Sequence, residues 1–262
     1  MEPDKWCLIL GVSSGMGRAC AKALSGDRWN ILGVYFDLGE NEPKVEELRR
    51  ELSEHSSRVH LFNRNADNRK VREELIGEIG ELLGGARVDL LLHSLAFGTL
   101  LPFIKHDADD QVMQKNQLEM TLSVMAHSLV YWTQDLWDHR LLGRGSQIYA
   151  MTSGGSVMYT KTYGAVSAAK CALESHVRQL AIELAPHGVM VNSIRAGITD
   201  TPALRKIPEH EALLQRAEQF NPQGCLATPE VIGDALVTLS RMPHAWMTGN
   251  VINIDGGEIL TI

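Results

Sequence analysis

The chain has 262 residues, 44% hydrophobic and 22% charged, which excludes disorder and fibrous repeats and leaves room for a sizeable buried core. Lys and Arg number 25 against 32 Asp and Glu, and a net charge of −7 without a basic patch argues against nucleic acid or an anionic membrane surface as partner. No stretch approaches the ~18 apolar residues of a membrane span. The opening MEPDKWCLIL lacks the basic flank and apolar length of a leader. The four cysteines (Cys7, Cys20, Cys171, Cys225) form no CxxC pair, and the histidines form no HExxH or HxxxH pattern. A metal-free, cytoplasmic protein with reduced thiols is therefore expected.

Short apolar runs recur at 6–10, 31–36, 59–62, 88–92, 147–151, 189–194 and 251–254, with amphipathic stretches between them. That rhythm predicts α/β architecture: a Rossmann-type doubly wound parallel sheet of about seven strands with helices on both faces. Pro43 opens a helix reading VEELRRELSEH, and Val71, Leu75, Ile79 and Leu82 mark another. No linker or repeat divides the chain, so 1–262 reads as one domain. Residues 198–229 hold a helical stretch, ALLQRAEQF, among Pro202, Pro208, Pro222 and Pro229, and such an insertion is expected to act as a substrate lid.

The first strand is followed by Gly11-Val12-Ser13-Ser14-Gly15-Met16-Gly17-Arg18, a GxxxGxG turn opening a helix. Glycines there tolerate positive φ and let backbone approach a pyrophosphate, which the helix N-terminus stabilises through its free amides and dipole. The second strand ends at Asp37, 20 residues after Gly17, where a dinucleotide-binding fold carries the acid that bonds the adenosine ribose. A carboxylate at that point repels a 2′-phosphate, so NAD(H) is favoured, while Arg18 keeps NADP(H) open.

Further along, Tyr163, Val166, Lys170, Leu173, Val177, Leu180 and Leu184 form one stripe of a long helix that stops at Pro186-His187-Gly188. A lysine in an apolar stripe costs free energy unless its ammonium is bound or snorkels to the surface. Tyr163 also follows a hydroxyl-rich loop, Thr152-Ser153-Gly154-Gly155-Ser156.

These segments, with His93-Ser94-Leu95-Ala96, Asn116, the 196–201 stretch and the terminal Asn253-Ile254-Asp255-Gly256-Gly257, resemble the short-chain dehydrogenase/reductase superfamily in order and over nearly the whole chain. Most of that superfamily separates Tyr and Lys by three residues, whereas six stand between Tyr163 and Lys170. This spacing resembles the divergent enoyl-acyl-carrier-protein reductase branch. Seven residues advance a helix to within about 20° of two full turns and by ~10.5 Å, against ~6 Å for four. A donor displaced along the helix suits enoyl reduction, in which the hydride lands on the β-carbon while charge gathers on the thioester oxygen. A ketone reductase needs both at one carbonyl.

The resemblance implies an enzyme of fatty-acid synthesis that transfers a hydride to a trans-2-enoyl thioester, the acyl group riding on acyl-carrier protein or another carrier. It implies Tyr163 as the group that stabilises the enolate, with Lys170 holding the nicotinamide ribose and favouring the tyrosinate. Ser153 or Thr152 fills a serine position, and Asn116 organises a main-chain kink. Around the cofactor it implies Gly11, Ser13, Ser14, Gly15, Met16, Gly17, Asp37, Asn65, Ala66, Ser94, Leu95, Ala96, Met151, Ala196, Gly197, Ile198 and Thr201. Tyr159, Phe97, Leu204 and Ile207 are candidates for the acyl pocket, His93 reads as a core residue, and the implied assembly is a homotetramer. The alternatives are a short-chain carbonyl reductase and, from another class, a non-catalytic NAD(H)-sensing regulator.

Overall fold

The structure, a computed structural model, describes residues 5–37, 39, 42–105, 107, 111–242 and 246–261; the opening residues 1–4 of the leader argument lie outside them. Seven strands, β1 (Trp6–Leu10), β2 (Asn30–Tyr35), β3 (Val59–Asn63), β4 (Leu90–His93), β5 (Gln147–Ser153), β6 (Met190–Ala196) and β7 (Val251–Ile254), form one sheet in the order β3-β2-β1-β4-β5-β6-β7. Every neighbouring pair is parallel. Parallel strands need crossovers, and helices supply them on both faces.

Alternation along β1 sorts the core. Cys7 and Ile9 pack with Cys20 and Leu24 of α1 (Gly15–Gly26), Leu48 of α2 (Glu42–Ser53) and Ile232 and Leu236 of α8 (Pro229–Ser240). Trp6, Leu8 and Leu10 face the other layer, built from α3 (Arg69–Leu83), α4 (Lys115–Leu122), α5 (Ser128–Asp138) and α6 (Gly164–Leu184). The remaining helix, α7 (His210–Phe220), lies in the inserted segment. Buried on both faces, central strands carry continuous apolar sequence, and that is why the seven runs were readable.

The expected seven-stranded doubly wound sheet is therefore present, with boundary differences that have local causes. The fourth strand starts at Leu90 because the Val88 amide bonds the Leu141 carbonyl, outside the sheet. The fifth continues to Ser153 because it stays paired with β6 up to Ala196. Between α4 and α5 a π-helical turn, Ser123–His127, interrupts the helix. Thr121, Ser128 and Thr133 each donate a hydroxyl back to the carbonyl four residues earlier, competing with the regular ladder around this turn.

The sheet order reverses between β1 and β4, and the crevice above their carboxyl ends is where open α/β sheets bind ligands. Trp132 of α5, fully buried, reaches under this edge and donates its indole N–H to the Ala66 carbonyl at 2.9 Å. Trp132→Ala is expected to cost about 3–5 kcal/mol of unfolding free energy, measured by urea titration. A loss below about 1 kcal/mol would mean that this contact does not fix the post-β3 loop.

Candidate active site

The glycine turn is built as a cradle. Gly11 has φ of +91°, its amide bonds the Val34 carbonyl at 2.8 Å, and a Cβ on it would stand 2.5 Å from the Ser94 carbonyl oxygen. A Cβ on Gly17 would overlap the Gly11 carbonyl, so backbone passes backbone with nothing between. Ser14 precedes α1 in extended conformation without a side-chain cap, and no acid occupies the first turn. The first amides of α1 thus keep their hydrogen-bonding capacity and positive dipole end for an anion. Thr201 faces the same turn, its methyl 3.7 Å from the Cβ position of Gly15. These features fit a dinucleotide pyrophosphate.

Beyond β2, Asp37 is held by reciprocal bonds with Asn63: its amide donates to Oδ1 at 3.0 Å, and its carbonyl accepts from Nδ2 at 2.9 Å. Arg18, which kept a phosphorylated ribose open, turns instead to α2 and pairs with Glu47 at 3.4 Å and Glu51 at 3.2 Å. Both contacts are partly exposed, and Glu51 is shared with Lys22. Asn65 is exposed and Ala66 buried, and between the β3 loop and the π-turn Ser123 donates to the Asp67 carboxylate at 2.7 Å.

At the other end of the crevice, β4, β5 and β6 finish side by side, with His93 opposite Ala150 and Ser153 opposite Ala196. Lys170 of α6 is buried beneath them and donates from Nζ to the Met151 carbonyl at 2.7 Å. The stem does not snorkel. Burial pulls its ammonium down to about 8, an effect that Glu174 opposes. Tyr163 is the residue before α6 rather than part of it, and its hydroxyl lies 3.5 Å from Ser153 Oγ. Burial pushes the phenol above its ordinary value, and the opposing influence is the Ser153 hydroxyl, not Lys170. The partly buried Tyr163 phenol is thus raised by burial and faces the Ser153 hydroxyl, while Lys170 is bonded to Met151.

Of the serine alternatives, Ser153 faces Tyr163, while Thr152 turns away to Glu174 at 2.7 Å. Asn116 is not at the kink: it is exposed in the first turn of α4, and the irregular turn begins seven residues later at Ser123. His93 is buried, bonded through Nε2 to Ser128 Oγ at 2.8 Å, and desolvation brings it down to about 3. It is a neutral core residue.

Ser94 lies between the two close glycines, 3.5 Å from the Cβ position of Gly17, and Leu95 and Ala96 follow it. Gly197 packs on Asp255, and the Ile198 amide donates to the Glu258 carboxylate at 3.1 Å. Glu258, Glu174 and Arg195 escaped the sequence reading. Only Glu174 carried a signal, a carboxylate one helical turn from a stripe lysine. Phe97 and Tyr159 are exposed, the ring of Phe103 covers Gly164 beside Tyr163, Leu204 begins a short helix in the inserted segment and Ile207 follows its end.

A family profile described as Enoyl-(Acyl carrier protein) reductase matches residues 11–258. The NADH-dependent enoyl-[acyl-carrier-protein] reductase of Aquifex aeolicus is 32% identical over 170 residues, 65% of this chain and 62% of that protein's own length. A probable 2,4-dienoyl-CoA reductase of Bacillus subtilis is 25% identical over 98% of this chain and 97% of its own. Among solved structures, the Aquifex aeolicus enzyme superposes with a TM-score of 0.82 at 26% identity, covering 97% of this chain and 96% of that one.

His93 gives a pH prediction. Its folded value of about 3 lies below the ordinary 6.5, so only the unfolded chain takes up the proton between these limits. Stability is then fully present above pH 6.5 and is lost as pH falls towards 3, by about 2 kcal/mol at pH 5. His93→Asn should flatten the fall of Tm between pH 7 and pH 5. An unchanged slope would contradict a neutral buried imidazole.

Proposed function

The chain belongs to the enoyl-(acyl carrier protein) reductase family of short-chain dehydrogenase/reductases, and on that premise we propose that it reduces the double bond of a trans-2-enoyl thioester with NADH. Proteins of this superfamily are oxidoreductases that use nicotinamide cofactors. The observation that carries the finer reading is the seven-residue step from Tyr163 to Lys170, with the lysine buried on Met151 and the phenol free to serve a group other than the lysine.

When bound, reduced nicotinamide supplies a hydride to the substrate β-carbon. The glycine cradle and α1 N-terminus hold the pyrophosphate, and Lys170 binds the nicotinamide ribose. Tyr163 donates its hydrogen bond to the thioester oxygen as negative charge gathers there, an interaction stronger in the transition state than in the ground state. Ser153 steadies that phenol. NADH rather than NADPH is supported by Asp37 at the end of β2 and by Arg18 turning to Glu47 and Glu51. Acyl-carrier protein as carrier and a homotetramer belong to the same reading, the latter supported by the exposed apolar Ile182, Trp246 and Leu260.

The test is NADH oxidation with crotonyl and acetoacetyl thioesters in parallel. Turnover of crotonyl thioester alone is expected, and turnover of the acetoacetyl compound alone would make the protein a ketone reductase. Tyr163→Phe should lower kcat about 10²–10³-fold while leaving NADH binding intact.

The segment 198–229 is read as the lid. It is tied down at its start by the Ile198–Glu258 bond and just after α7 by Asn221 Nδ2 donating to the Asp255 carbonyl at 2.9 Å. Replacing α7 by a short flexible linker should raise KM for a long-chain enoyl thioester and spare crotonyl thioester. Equal effects on both chain lengths would remove the lid.

A further inference from the structure

Glu174 is buried and Arg195 largely so, 3.1 Å apart, on the side of α6 that meets β5 and β6. A buried ion pair is a weak source of stability, since apolar replacement is often neutral or better. Its position suggests another use. Glu174 lies one helical turn after Lys170, and its attraction opposes the burial that would otherwise discharge the lysine. The same Oε1 accepts from Thr152 Oγ1 at 2.7 Å and from Arg195 at 3.1 Å. Arg195 also donates to Ser156 Oγ at 3.2 Å, and Ser156 donates to the Ser153 carbonyl at 3.2 Å. A second Arg195 nitrogen reaches Asn253 of β7 at 3.4 Å.

We infer that Glu174 is a positioning residue that keeps Lys170 charged for cofactor binding and, through Thr152 and the Arg195–Ser156 link, braces the loop that presents Ser153 to Tyr163. This rests on the reading of Tyr163 and Lys170 as the pair that meets the nicotinamide ribose and the substrate.

The charged and titratable groups around Lys170 are few. His93 from β4 is neutral, Tyr163 at the start of α6 is held protonated, and Arg195 from β6 stands on the far side of Glu174. Glu174 is thus the single negative charge set against the ammonium among these groups, and Arg195 moderates it. Removing the carboxylate and removing the guanidinium must act on Lys170 in opposite directions. Damage to packing would not.

The experiment is the dissociation constant of NADH, measured by fluorescence without acyl substrate, from neutral to alkaline pH. In the intact protein, affinity should fall through about pH 8 as Lys170 loses its proton, and Lys170→Ala should lack that limb. Glu174→Gln should move the limb to lower pH by about one unit, and Arg195→Gln should move it to higher pH. A limb unmoved in Glu174→Gln, or moved the same way in both variants, overturns the inference while the cofactor reading stands. If Glu174→Gln does not fold, the direction of shift in Arg195→Gln decides. Failure of the intact protein to bind NADH at any pH overturns the cofactor reading and the inference with it.

Discussion

The bond from the Lys170 ammonium to the Met151 carbonyl joins the long helix α6 to β5 at the point where three strands end. An ammonium cannot be removed from water without a partner of opposite charge or several acceptors. Lys170 donates to one carbonyl and feels the Glu174 carboxylate, and burial brings it down to about 8, within reach of physiological pH. Such a site is poised. Small changes in nearby charge decide whether the lysine is a cation at physiological pH, and everything that surrounds it is constrained by that balance. His93 next to it is neutral, and the hydroxyl that approaches Tyr163 comes from Ser153 because Thr152 is already committed to the Glu174 carboxylate.

The other end of the crevice is governed by backbone geometry instead of charge. Gly11, Gly17 and the Ser94 carbonyl meet so closely that no side chain fits between them, which clears the first amides of α1 for a phosphate. Arg18 is drawn towards two glutamates of α2, and on the proposed reading Asp37 meets the adenosine ribose. A dinucleotide with an unmodified adenosine ribose suits that arrangement, since hydroxyls can donate to a carboxylate whereas a phosphate is repelled by it.

Much of this was legible in the sequence because each feature is local. Buried parallel strands carry continuous apolar runs, the glycine turn announces positive φ, and the stripe from Val166 to Leu184 follows from helix pitch. What escaped depends on contacts between distant segments. Asn116 had the right residue type in the right helix, but the kink is produced further on, where hydroxyls of Thr121 and Ser128 bond back to the chain. Arg195 looked like one more strand residue, and its partners Glu174, Ser156 and Asn253 come from three separate elements. Tyr163 stands just outside α6, a shift of one residue that no periodicity could reveal.

The buried phenol bears on why the family's longer spacing is workable. If Lys170 acted chiefly by lowering the Tyr163 proton affinity, lengthening their separation by a helical turn would weaken the effect without compensation. In this protein burial dominates the phenol, the opposing group is Ser153, and Lys170 is tied to the strand. On the proposed reading, the two residues serve different ends of the bound reactants, one as a neutral donor and the other as a cation. A donor that must reach a thioester oxygen, two atoms removed from the carbon accepting hydride, gains from that independence. A donor for a ketone would lose by it, because its target and the hydride acceptor belong to one carbonyl.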